Sequence, residues 1–137
     1  METEIKKWSL DGLNTTDALV SSVYDGDTLR LVLPVCCTKY IFSCRLNGID
    51  TPEIRSRNKQ EKVIARQVRD YVKELLESHA FRVCCGKSDK YGRILCDIYV
   101  ILDGVELSLA DHLIGKKYGY IYNGGKKLKF EDWYKEK

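Results

Sequence analysis

Three short polar segments interrupt stretches that otherwise alternate like β-strands. They are DGDT at residues 25–28, RLNGIDTPE at residues 45–53 and DKYGR at residues 89–93. Places where local patterning breaks are more often functional sites than structural features. If the fold brings the segments together, several carboxylates and two arginines meet in one cleft.

The acids of these segments indicate a bound cation. Two unit charges about 4 Å apart repel by roughly 1 kcal/mol in water and about 4 kcal/mol at an effective dielectric constant near 20. A cleft that gathers Asp27, Asp50 and Glu53 therefore needs a cation or raised pKa values. Because all the candidate ligand atoms are hard oxygens, calcium or magnesium is favoured over zinc.

The arginines indicate a phosphodiester substrate. The planar guanidinium groups of Arg45 and Arg93 match phosphate oxygens better than a lysine does. Glu53 follows Asp50 by three residues, on the far side of Pro52, and can face a water molecule instead of the cation. Pro52 fixes its own φ and restricts Thr51, which holds the two acids at a set separation.

The elements around these segments predict an α+β fold, namely a five-stranded OB-fold β-barrel with about three helices. Strand-like patterns cover residues 18–24, 28–34, 39–49, 80–86 and 93–102. Apolar residues at helical spacing predict a helix over 59–77, with Asn58 and Glu61 as a capping-box-like start. Ser108 predicts a second, short helix that ends at Gly115, and residues 130–137 predict a last helical turn.

Composition is typical of one globular domain, which we predict over residues 18–137 after a leader of uncertain order at 1–17. Hydrophobic residues make up 44% of the chain and charged residues 31%, and the net charge of +3 permits a polyanionic partner. No secretory signal or membrane span is evident, so we expect an intracellular protein that does not bind membranes. The six cysteines lack zinc-site spacing, and we interpret them as free, reduced thiols that act as small strand hydrophobes.

In their order and separations the three polar segments closely resemble the staphylococcal nuclease (thermonuclease) family, from about Val20 to Tyr122. The pair RL and DTPE is its most specific signature. The resemblance implies an OB-fold barrel with three helices and calcium-dependent hydrolysis of DNA and RNA that leaves 3′-phosphate ends.

The resemblance also implies roles for individual residues. Asp27 and Asp50 match the calcium carboxylates, and Thr51 matches the residue that gives its backbone carbonyl to the ion. The residues that match the catalytic set are Arg45, Glu53 and Arg93. The residues that match substrate contacts are Lys90, Tyr91, Tyr120 and Tyr122, although Tyr120 and Tyr122 can equally be packing residues.

The segment after Glu53 departs from the family pattern. Arg55, Arg57 and Lys59 replace a lysine-bearing loop that is longer in the secreted family founder, which affects the grip on substrate more than the chemistry. We expect a monomer acting on single strands or breathing duplex, since bases must be unpaired to reach the aromatic residues. The alternative is an OB-fold module that binds nucleic acid without cutting it, but such relatives typically lose some of the charged groups retained here.

Overall fold

The computed structural model describes residue 5 and residues 8–135. The strands in this part of the chain are β1 (Asn14–Thr15), β2 (Leu19–Asp25), β3 (Thr28–Val35), β4 (Thr38–Leu46), β5 (Ile49–Asp50), β6 (Phe81–Ser88), β7 (Ile94–Leu102), β8 (Val105–Ser108) and β9 (Tyr120–Ile121). The helices are α1 (Lys59–Ser78), α2 (Leu109–Gly115) and α3 (Phe130–Trp133). The predicted α+β class and three helices are confirmed.

The antiparallel meander β2–β3–β4 carries two of the three polar segments. Alternate side chains of β3 enter the core, where Leu29, Leu31 and Leu33 are at most 1% exposed, while Arg30 between them faces solvent. This period of two is that of a strand with one buried face. Thr28 pairs with Arg45, so the DGDT turn lies beside the end of β4.

The main sheet has the strand order β1-β6-β7-β4-β3-β2, and β8 adds to β7. The central contact is the parallel pairing of β4 with β7, where Arg45 stands opposite Leu95. Five long strands match the predicted ones, but no pairing between β1 and β2 closes the sheet in the described residues. Closure into a five-stranded barrel therefore stays a prediction. Sequence patterns missed β1 and β9, which have two residues each. The predicted strand over 39–49 reaches the first residue of β5, and the Asp103-Gly104 step, which resembles a hairpin turn in the sequence, connects β7 to β8.

Helix α1 packs on the β2 side of the core through Ala65, Val68, Val72, Leu75 and Leu76, as its periodicity predicts. At the start of the helix, only one of the two hydrogen bonds of the predicted capping box is formed. Asn58 Oδ1 accepts the backbone N–H of Glu61 at 3.0 Å. The carboxylate of Glu61, however, accepts the backbone N–H of Glu53 at 3.0 Å instead of turning back to Asn58.

The described residues before β2 contact the domain. Leu10 and Leu13 pack against the core, and Asn14 pairs with Cys84 of β6. Residues 1–4 and 6–7 of the predicted leader lie outside the described residues, as do residues 136–137 of the predicted last helical segment. None of the described helices is long and apolar enough to cross a membrane.

All six cysteines are unpaired in the structure. Cys44, Cys85 and Cys96 are buried strand residues, which agrees with their interpretation as small hydrophobes. Cys36 and Cys37 differ, because they are exposed in the turn between β3 and β4.

Gly26, at the centre of the DGDT turn, lies directly against α1. A Cβ atom there would stand 2.5 Å from Val68 Cγ1 and 3.0 Å from Thr51 Cγ2. We predict that Gly26→Ala lowers the free energy of unfolding by about 1–3 kcal/mol, since the turn must move off the helix. Urea unfolding measures the loss. Gly115→Ala is the matched control, because a Cβ there meets nothing within 4 Å; equal stability of the two variants would contradict the prediction.

Candidate active site

The five charged residues predicted to carry the chemistry line one cavity of about 230 Å³. They are Asp27, Arg45, Asp50, Glu53 and Arg93. The cavity lies where the DGDT turn, the end of β4 and the loop before β7 meet. Thr51 is not part of its lining and is buried, at 2% exposure.

Arg45 is the buried centre of this site. Its Nη1 lies 3.1 Å from Asp27 Oδ2, and its Nη2 lies 3.7 Å from Asp50 Oδ1. Nη1 also donates to the carbonyl oxygens of Leu46 and Ile49, at 2.8 and 2.9 Å. One guanidinium therefore fixes two acids and the bend between β4 and β5.

Asp27 and Asp50 are held from further directions. Asp27 Oδ2 accepts the backbone N–H of Thr51 at 3.1 Å, which joins the two acid-bearing segments directly. Asp50 Oδ2 accepts the hydroxyl of Tyr120 at 2.8 Å across the β5–β9 pair. Burial, followed by the charge of Asp27, raises the pKa of Asp50. The two carboxylates repel each other and depend on nearby cations.

Glu53 is the most accessible acid of the set, with a side chain 56% exposed. Its backbone is tied to α1 through Glu61, whose other carboxylate oxygen accepts the hydroxyl of Ser56 at 2.5 Å. The loop is thus anchored while the Glu53 carboxylate reaches the cavity. The ammonium nitrogen Nζ of Lys127 lies 3.6 Å from Glu53 Oε1 and 3.3 Å from Asp50 Oδ1.

Arg93 is positioned by the DKYGR loop. Asp89 Oδ2 accepts a hydrogen bond from the Nε–H group of Arg93 at 2.8 Å. Asp89 Oδ1 accepts hydrogen bonds from the backbone N–H groups of Tyr91 and Arg93, both at 2.9 Å. Although burial by itself raises the pKa of Asp89, these hydrogen bonds bring it below its usual value. Gly92 completes the turn with φ of 82°, a backbone angle that glycine adopts without strain.

A larger groove of about 440 Å³ adjoins the cavity and shares Arg45, Arg93 and Lys127 with it. The predicted substrate residues Lys90, Tyr91 and Tyr122 line this groove. Tyr91 is 72% exposed, so its ring is accessible to a ligand.

Tyr120 occupies a different environment from the other predicted substrate residues. It is not part of the groove lining, its ring lies 5.1 Å from that of Trp133, and its hydroxyl contacts Asp50. Burial and the hydrogen bond to Asp50 raise its pKa. Of Tyr120 and Tyr122, only Tyr122 lines the groove.

Sequence reasoning missed Asp25 and Lys127. Asp25 is 7% exposed and lines the cavity with Asp27. Burial, the hydrogen bond with Asp27 and the charge of that neighbour raise the pKa of Asp25 to about 8. Its signal in the sequence was its position two residues before Asp27, in the same DGDT segment. For Lys127 the sequence offers no such indication, because nothing in the local sequence distinguishes it from the neighbouring Lys126 and Lys129.

The donor chemistry of the cavity fits a hard divalent cation. Asp25, Asp27 and Asp50 are buried carboxylates, and Asp25 Oδ1 has no hydrogen-bond partner. Calcium and magnesium take such oxygen ligands. No group of three or more His, Cys, Asp or Glu side chains is arranged as metal ligands in the described residues, and Arg45 and Lys127 form ion pairs with Asp27 and Asp50.

Removal of the central guanidinium should destabilise the fold. We predict that Arg45→Met lowers the free energy of unfolding by about 3–5 kcal/mol in metal-free buffer, because two buried acids lose their partner. Urea unfolding measures the change. Arg30→Met is the control, since Arg30 is exposed on β3. A loss no larger than that of the control would show that Arg45 is not needed to compensate the acids.

Two comparisons with known proteins bear on this geometry. A family model described as staphylococcal nuclease homologue matches residues 43–131, well over half of the 137 residues. The match includes Arg45, Asp50, Glu53 and Arg93, and contacts with Arg45 and Thr51 join Asp27 to the matched region. No curated protein matches the sequence. With this match and the convergence of its polar segments on one cavity, the chain belongs to the family of staphylococcal nuclease homologues.

Proposed function

We propose that the protein is a calcium-dependent endonuclease that hydrolyses DNA and RNA with little sequence specificity and leaves 3′-phosphate ends. Family membership supports a nuclease-type or nucleic-acid-binding function. The observation that carries the finer proposal is that Asp27, Arg45, Asp50, Glu53 and Arg93 line a single cavity. A module that only binds nucleic acid has no need for this buried set of opposed charges.

In this proposal Asp27 and Asp50, with the carbonyl group of Thr51, hold a calcium ion. The bound ion would neutralise the acids and withdraw charge from the scissile phosphate. Asp25 adds a further buried oxygen to this side of the cavity. The remaining residues act on the substrate and on water.

Glu53 orients or deprotonates the water that attacks phosphorus, and its exposure gives that water access. Arg45 and Arg93 stabilise the negative charge that develops on the phosphoryl oxygens. Arg93 also hydrogen-bonds the leaving 5′-oxygen. As the water oxygen bonds to phosphorus, the bond between phosphorus and the 5′-oxygen breaks. The 5′-oxygen takes up a proton from solvent, and the phosphate remains on the 3′ side.

The groove beside the cavity receives the bases of the substrate. Tyr91 carries two cations near its ring, with Lys90 Nζ at 5.2 Å and Arg93 Cζ at 5.3 Å from the centroid. An aromatic ring flanked by cations suits a base and its neighbouring phosphate. A base must leave its duplex to stack there, so single strands and breathing duplex are the preferred substrates.

Glu53→Gln should reduce kcat on single-stranded DNA by on the order of 10²–10⁴-fold, because the attacking water loses the carboxylate that orients or deprotonates it. Arg93→Ala should reduce kcat by on the order of 10²–10³-fold, because charge on the transition state loses its partner. Both variants should keep the wild-type circular dichroism spectrum. Glu77→Gln, on the exposed face of α1, is the control. Wild-type turnover in either variant would remove that residue from the mechanism.

Removal of calcium should abolish hydrolysis reversibly. An excess of chelator is expected to stop cleavage, and added calcium is expected to restore it within the same sample. Cleavage that persists in excess chelator would contradict the metal assignment. Tight DNA binding without cleavage, with calcium present, would favour the non-catalytic alternative.

Tyr91→Ala should raise KM for a single-stranded oligonucleotide by about 5- to 100-fold and leave kcat nearly unchanged, because one stacked base is lost. Steady-state kinetics separate the two constants. The control is Tyr40→Ala, since Tyr40 is also exposed, at 54%, but lies near the start of β4. An equal change in both variants would exclude stacking on Tyr91.

A further inference from the structure

The ammonium group of Lys127 contacts acids with two different proposed roles. Its Nζ lies 3.3 Å from Asp50 Oδ1, a proposed metal ligand, and 3.6 Å from Glu53 Oε1, the proposed base. The site therefore contains a positive charge of its own beside Asp50, a proposed ligand of the divalent cation. A metal ion that takes Asp50 as ligand competes with this ammonium group for the same oxygen.

Lys127 is distinguished from the other lysines of its segment by its position. It lines the 230 Å³ cavity, the 440 Å³ groove and a third cavity of about 270 Å³, so it stands where all three meet. Lys126, its neighbour in sequence, is exposed and lines none of these three. The two residues form a natural pair for comparison.

The main chain beside Lys127 is fixed, whereas its side chain can move. The backbone N–H of Leu128 donates to the Tyr120 hydroxyl at 2.9 Å, and that hydroxyl donates to Asp50. The Lys127 side chain is 46% exposed and carries its charge on a flexible four-carbon stem. The ammonium group can therefore leave the acids without unfolding of the segment.

The groove offers Lys127 a second position. Its Nζ lies 5.7 Å from the centroid of the Tyr122 ring, which lines the groove. The hydroxyl of Tyr122 donates to the carbonyl oxygen of Gly125 at 2.8 Å and so keeps this ring beside the lysine. A cation that turns from Asp50 toward Tyr122 enters the groove proposed for the bases of the substrate, where it can meet the phosphates that join them.

We propose that Lys127 is an exchangeable counter-ion, which neutralises Asp50 and Glu53 in the metal-free protein and binds a substrate phosphate once a divalent cation has displaced it. This inference rests on the proposed function. It adds a coupling between the two ligands, because the cation frees a group that the substrate needs. By thermodynamic reciprocity, substrate then strengthens binding of the cation.

Calcium titration by calorimetry, with the metal alone, tests the competition directly. Lys127→Met should bind calcium about fivefold more tightly than wild type, because the ion no longer displaces an ammonium group. Lys126→Met removes the same charge one residue away and should keep wild-type affinity. Equal affinity of the two variants would overturn the proposal, since only general charge would then matter.

Stability and kinetics give the second half of the test. In chelator, Lys127→Met should be less stable to urea than Lys126→Met, and calcium should remove the difference. With calcium present, Lys127→Met should raise KM for an oligonucleotide by about threefold to tenfold at nearly constant kcat. Unchanged KM would overturn the role of Lys127 at the phosphate.

A measurement on the unsubstituted protein does not depend on folding of the variants. Acylation of lysine amines by acetic anhydride, followed by mass spectrometry, should label Lys127 faster when calcium is present and label Lys126 equally in both conditions. Slower or unchanged labelling of Lys127 would overturn its release. If wild type neither binds calcium nor cleaves DNA, the proposed function fails as well, whereas calcium-dependent cleavage with equal affinities rejects only the role of Lys127.

Discussion

The contact of Arg45 with Asp27 and Asp50 is the interaction on which the site depends. Three charged groups are buried together, and each would be costly in that place without the others. Such a buried set is seldom more stable than an apolar one of the same shape, although the loss of one member is severe. The set adds little as a stabiliser of the fold, and its chemistry is the better reason for its presence. Arg45 thus neutralises the buried acids in the metal-free protein. In the proposed complex with metal and substrate, it binds the phosphate.

The framework around Arg45 consists of tightly joined short segments. The pairing of Thr28 with Arg45 brings Asp27 to the end of β4, and the parallel pairing with β7 brings Arg93 to the same end. The absence of a side chain at Gly26 lets the turn pack directly against Val68 of α1. Each of these contacts joins residues far apart in sequence. The geometry of the cavity is therefore a property of the whole domain.

Much of the fold follows from local pattern, and part of the site does not. The alternation in β3 and the helical spacing in α1 identify those elements, since burial of one face requires that order of residues. Strands β5 and β9 have only two residues each, so no periodicity can identify them. Lys127 has the same local composition as Lys126, and only the tertiary fold selects it. Asp25 belongs to the polar DGDT segment, but the burial that raises its pKa depends on neighbouring segments.

The double role of Glu61 links the segment that bears Glu53 to the end of a helix. Asn58 caps α1 by accepting the N–H of Glu61, while the Glu61 carboxylate binds the amide of Glu53 and the hydroxyl of Ser56. Helix ends are among the first parts of a protein to open locally. When the first turn of α1 frays, the same event releases the Glu53 segment, so the two share one opening reaction. The mobility of Glu53 then depends on the opening of a helix terminus. Arg45 differs, because it is held by the strand pairing of β4 with β3 and β7.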